Sequence, residues 1–157
     1  MRSQWLLLLF AFLLVGCISQ NSTAGVTPTP PGYHLTFDTH GIAILASSYT
    51  GSLVNTASGT TEQMHLDHIQ EKTQFAGFTA TLTIVGEFNA IPIQGDISPY
   101  IQGHFQDTYS ITFGGSFFGA PNSFPGQINV QDGSLSGEAN LEGSQNTGSW
   151  TLHPEAV

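Results

Sequence analysis

From Tyr33 onward, apolar and polar residues alternate with a period of two. Tyr33, Leu35 and Phe37 are interleaved with His34, Thr36 and Asp38. Phe78, Ala80, Leu82 and Ile84 alternate with Thr79, Thr81 and Thr83. The same rhythm returns in Tyr49–Asn55, Ile91–Ile97, Ile101–Phe105, Tyr109–Phe113, Gly126–Val130, Leu135–Leu141 and Trp150–Leu152, and Ile42–Leu45 is a short apolar run. Such alternation predicts antiparallel strands with one face on a core and the other in water. Turn residues punctuate it: Gly86-Glu87-Phe88-Asn89, Ala120-Pro121-Asn122, Asn146-Thr147-Gly148, and Asp132-Gly133, a dipeptide that favours a type I′ hairpin. The expectation is an all-β fold, an antiparallel meander of about eight to ten strands. Gly95, Gly103, Gly126 and Gly137 recur on the apolar face, where a missing side chain lets a strand coil. Coiled strands favour a closed or nearly closed small barrel, with a β-sandwich as the alternative.

One segment reads two ways. Thr60 and Gln63 imitate a helix capping box, and the composition of 60–72 suits a helix. Met64, Leu66 and His68 also alternate with polar neighbours, and strands are predicted on both sides, which favours strand.

The N-terminus follows a different pattern. Trp5–Val15 is almost unbroken apolar sequence after Met1-Arg2. It is about half the roughly 20 residues that a membrane-spanning helix needs, and it matches the apolar core of a signal peptide. Leu14-Val15-Gly16-Cys17 closes it and resembles the lipobox of bacterial lipoproteins. That resemblance implies cleavage after Gly16, lipidation of Cys17, and a protein held by lipid on the extracytoplasmic face of the cell membrane; two or three acyl chains make such attachment stable. The alternative is an uncleaved signal anchor. Residues 18–32, rich in Ser, Thr, Asn and Pro, read as a semi-stiff linker. The predicted organisation is a signal peptide over 1–16, a lipidated cysteine and linker over 17–32, and a β-barrel domain over 33–157. With Cys17 the single cysteine, no intramolecular disulfide forms and the fold stands on packing.

Charge narrows the partners. Arg2 lies in the predicted signal peptide, so Lys72 alone faces eleven carboxylates in the remaining chain. Such a surface repels phosphate, which argues against nucleic acid, and repels anionic headgroups, which keeps the domain off the bilayer.

Tyr49-Thr50-Gly51 with Asn55-Thr56, Gln94-Gly95-Asp96-Ile97, Asp132–Gly137 and the closing Gly148-Ser149-Trp150-Thr151-Leu152 resemble segments of uncharacterised bacterial surface lipoproteins and extracellular β-modules. The ending also resembles the last strand of avidin-like and lipocalin-like barrels. These motifs mark hairpins, and the resemblance assigns no residue a role.

Candidate chemistry is sparse. There is no Gly-x-Ser-x-Gly elbow or phosphate-cradling glycine loop. Asp96, Asp107, Glu138 and Glu142 are candidates for an acid–base pair, against the plainer reading of a solvated acidic face. His65, Asp67, His68 and His104 are candidate metal ligands, against separate histidines on polar faces; zinc needs three or four such groups together. Phe105, Phe113, Phe117 and Phe118 are candidate ligand-binding residues, with Phe117-Phe118 flanked by glycines and one of that pair expected to be exposed or at a barrel mouth, against plain core packing. No catalytic residue and no cofactor is assigned. The expected function is a membrane-anchored surface lipoprotein, non-catalytic, binding a small apolar ligand or an envelope partner. The alternatives are a purely structural surface module and a small hydrolase with paired carboxylates.

Overall fold

The computed structural model describes residues 34–39, 41–72, 76–98, 108–117, 119–144 and 147–155. The predicted signal peptide, Cys17, the linker, Gly103, His104, Phe105, Asp107 and Phe118 lie outside the described residues. Two short strands, β1 (Thr36–Phe37) and β2 (Ala43–Ile44), form a small hairpin. Eight more follow: β3 (Tyr49–Asn55), β4 (Thr61–Lys72), β5 (Gly77–Ile84), β6 (Phe88–Ser98), β7 (Thr108–Phe117), β8 (Ala120–Asn129), β9 (Leu135–Ala139) and β10 (Gly148–Pro154). Each pairs antiparallel with the next, and β10 pairs with both β9 and β3, so the sheet closes into an eight-stranded barrel. This is the up-and-down architecture of lipocalin- and avidin-like barrels, not a sandwich, and 60–72 is strand rather than helix.

The alternation explains the closure. Phe78, Ala80, Leu82 and Ile84 are buried inside while Thr79, Thr81 and Thr83 are only partly buried on the outer face. Outward positions elsewhere are also polar, as at Gln94, Asp96, Gln127, Ser136, Glu138 and Ser149. An apolar inside and a polar outside is the reverse of a membrane-spanning barrel. The middle of the barrel is filled with rings. Phe113 stacks on Phe124 (centroids 5.2 Å apart, planes 15° apart) and meets Trp150 edge-on at 5.1 Å. The indole N–H of Trp150 donates to the Glu138 carbonyl at 2.8 Å, so burying it leaves no unmet donor. Two inward glycines make room for these rings. A Cβ on Gly95 would sit 2.3 Å from the Phe78 ring, and one on Gly126 would sit 2.5 Å from the Trp150 indole. The glycines thus serve ring packing as well as coiling.

Two bulges break the alternation. In β4 the register slips between Asp67 and Gln70, where His68 takes φ 53°. Strict alternation would put His68 on the face of Leu66; the extra residue turns it out to solvent and brings Ile69 against the core instead. In β6 three steps, Phe88 to Ile91, oppose two in β5, Ile84 to Leu82, and Ala90 takes φ 52°.

Two predicted turns differ in detail. A type I′ turn needs positive φ at both central residues, but around Asp132-Gly133 only Gly133 is positive. Asp132 instead uses its carboxylate to accept from the Ser134 amide at 2.9 Å, a side-chain turn. Ala120-Pro121-Asn122 belongs to β8, and the preceding Gly119, at φ 78°, supplies the reversal.

In a meander every second connection lies at the same end. The links β4–β5, β6–β7 and β8–β9 share one end with the β1–β2 hairpin, which seals it. Leu35, Ala43, Leu45 and Ala46 are buried there, and the Phe37 ring lies 5.4 Å from that of Tyr109. The Leu45 amide donates to the Glu71 carboxylate at 2.8 Å, and the Ile69 amide donates to the Ser47 carbonyl at 3.2 Å. The links β3–β4, β5–β6, β7–β8 and β9–β10 surround the other end, the mouth.

Candidate functional site: the barrel mouth

The mouth holds a cleft of about 490 Å³, within the size range of small-molecule sites. Leu53 and Phe88, both buried, and the half-buried Leu141 line its apolar part. Glu62 at the start of β4, Glu87 in the β5–β6 turn and Glu142 in the β9–β10 loop also line it. Glu87 and Glu142 are exposed, and Glu62 is half-buried.

Each wall has a local cause. Gly86 (φ 96°) reverses the chain after Ile84, and the Glu87 amide donates to the Ile84 carbonyl at 3.0 Å, which sets Glu87 on the rim. Asn122 fixes the opposite wall. It is the buried polar residue of the core, its Oδ1 accepting from the Glu142 amide at 2.9 Å and its Nδ2 donating to the Ala120 carbonyl at 3.0 Å. The β9–β10 loop is thereby tied to the start of β8, and Glu142 is held at φ 53°. Phe117 packs beneath this end with its ring 5.2 Å from Phe88.

Two of the other polar side chains in the cleft are committed to the fold. The Asn55 carboxamide oxygen accepts from the Ala57 and Ser58 amides. The Thr147 hydroxyl donates to the Ala139 carbonyl and accepts from the Leu141 amide. The apolar floor, the carboxylates and the Thr56 and Ser144 side chains complete the lining. Lys72, the single Lys or Arg after Arg2, ends β4 at the sealed end. That is roughly 30 Å along the strand from Glu62, several screening lengths at physiological salt.

The sequence candidates are distributed differently. Phe113 is in the central ring stack and Phe117 is in the core, its ring against that of Phe88. His65 and Asp67 share the outer face of β4, where His65 Nδ1 lies 3.2 Å from the Thr50 hydroxyl. His68 stands apart on the bulge, and among the described residues no three His, Cys, Asp or Glu side chains converge as metal ligands. Of the candidate carboxylates, Asp96 and Glu138 are exposed on the outer face, and Glu142 is in the cleft. Sequence reasoning missed Glu62 and Glu87. Their signal was topological: in a meander the turns near residues 57, 86 and 142 belong to one end.

The chain matches no protein-family model and no curated protein.

Proposed function

We propose that this is a lipid-anchored, extracytoplasmic binding module whose site is the open mouth rather than the barrel interior. The observation that carries this reading is the asymmetry of the two ends. One is plugged by apolar side chains of the β1–β2 hairpin; the other keeps an apolar floor under an open cleft. The ring-filled middle supports a ligand at the rim over one enclosed in the barrel. The first strand, β1 at Thr36–Phe37, belongs to the hairpin that seals the closed end. An anchor at Cys17 would therefore hold the barrel by that end and present the mouth away from the membrane. The apolar run before Cys17 and its lipobox resemblance support the anchor. The hydrolase reading has less support, because the cleft carboxylates are not buried together as an acid and base.

The test is made in whole cells. Radiolabelled palmitate should enter the protein and fail to enter Cys17→Ser. In the otherwise native chain, a maleimide that does not cross membranes should label Glu87→Cys faster than Glu71→Cys. Absence of label from palmitate, or the reverse order of maleimide labelling, would refute the reading.

A further inference from the structure

The geometry points to a ligand class for the mouth: a small organic cation on an apolar stem, an alkyl- or arylammonium. This rests on the proposed binding role and goes beyond it.

The floor supplies the first half of the argument. Leu53, Phe88 and Leu141 offer apolar surface without a free donor or acceptor, so they favour a hydrocarbon or aryl group. The two large exposed hydrophobic residues of the described chain, Val54 (37% exposed) and Val85 (51%), flank turns at this same end. Neither lines the cleft itself, but both stand at its end of the barrel.

The rim supplies the second half. Glu62, Glu87 and Glu142 come from three separate hairpins and surround the floor with negative charge. The other polar side chains considered above, Asn55 and Thr147, are used by the fold. Among the described residues no lysine or arginine stands at this end, since Lys72 is at the other. A neutral apolar ligand would leave the carboxylates unused, and an anion would be repelled. A protonated amine whose stem covers Phe88 and Leu141 places its N–H donors among acceptors that have no cationic partner, a charge-assisted contact. The surplus of carboxylates over the whole domain draws such a cation inward.

The experiment uses the lipidated chain in discs of zwitterionic lipid, with empty discs as the blank. Titration calorimetry compares 2-phenylethylammonium with a neutral alcohol of the same size (2-phenylethanol), an anion (3-phenylpropionate) and a dication without a ring (putrescine). The arylammonium should bind about tenfold tighter than the alcohol, with the anion weakest. Glu87→Gln and Glu142→Gln should each weaken it about two- to fivefold, and added salt should weaken it further. Leu141→Ser should weaken the arylammonium and the alcohol alike. Two results overturn the ligand class alone: an alcohol that binds as well as the cation yet is lost in Leu141→Ser, or putrescine that equals the arylammonium. Absence of binding by every probe, or binding indifferent to Leu141→Ser and to both glutamate variants, would overturn the mouth as a site altogether.

Discussion

At the closed end, the N-terminal hairpin presses Leu35, Ala43, Leu45 and Ala46 against the barrel and brings Phe37 onto Tyr109. At the mouth, a cleft opens beside Leu53 and Phe88, which are themselves buried, and the half-buried Leu141. The carboxylates at the two ends divide in the same way. Glu71 accepts the Leu45 amide and so helps hold the plug in place. Glu87 and Glu142 project from turns whose own backbone hydrogen bonds are made by other groups. Within one closed sheet, one end is packed under an added hairpin and the other carries a cleft rimmed by carboxylates. The contrast teaches that a core packed with rings can coexist with a cleft at the end of the barrel that no added hairpin covers.

The largest expected effect lies between the ends and is shared by both. Phe113→Ala removes a ring that contacts Phe78, Phe124 and Trp150, and should destabilise the fold by about 3–5 kcal/mol, read as a lower denaturant midpoint. If the loss were below about 1 kcal/mol, the middle would be loosely packed and the distinction between a plugged end and an open end would lose its basis.

Leu45→Ala and Leu141→Ala separate the ends. Leu45 is buried in the plug, so its truncation should cost about 2–4 kcal/mol. Leu141 is half-buried at the mouth and should cost clearly less, about 1 kcal/mol. Thermal unfolding of the two variants side by side reads the comparison directly; equal losses would mean that the mouth is as closely packed as the plug.

Asn122→Ala comes next, with an expected loss of about 1–3 kcal/mol. It leaves the Glu142 amide and the Ala120 carbonyl without their buried partner. Amide hydrogen exchange should rise first in the β9–β10 loop and leave β4 and β5 protected. A uniform rise over the whole barrel would show that the mouth wall is not a separate local unit.

Much of this was legible in the sequence because burial on a strand has a period of two. Leu82 and Ile84 inside with Thr81 and Thr83 outside, and the same pattern in six other strands, led to an antiparallel meander directly. The inward glycines pointed to closure, although Gly95 and Gly126 also clear space for Phe78 and Trp150, which depends on strands distant in sequence. The bulge at His68 was not legible, because an exposed histidine in phase with Leu66 looks like continued alternation. Of the Phe117-Phe118 pair singled out between glycines, Phe117 turns into the core beside Phe88, and Phe118 lies outside the described residues. The mouth itself was hidden for another reason. Glu62 and Glu87 sit in segments where carboxylates are ordinarily just solvated, and only the closed topology brings them around one floor with Glu142.

The smallest effect sharpens the comparison most finely, because each end carries one bulge. His68, on the β4 side toward the plug, and Ala90, at the mouth, both hold positive φ without being glycine. A left-handed conformation costs an ordinary L-residue about 1–2 kcal/mol, and histidine tolerates it better than alanine. Replacement by glycine removes that strain but loosens the unfolded chain by about 0.4–1 kcal/mol, so the two terms nearly cancel. Ala90→Gly should therefore leave stability unchanged or raise it by up to about 1 kcal/mol, and His68→Gly should gain less or lose slightly. Both residues are exposed, so little packing changes with either substitution. Denaturant midpoints measured together, at equal slope, give the ordering. If His68→Gly gained more than Ala90→Gly, the strain would lie at the plugged end, and the mouth would be the more relaxed of the two, with its bulge set by the sheet rather than held against it.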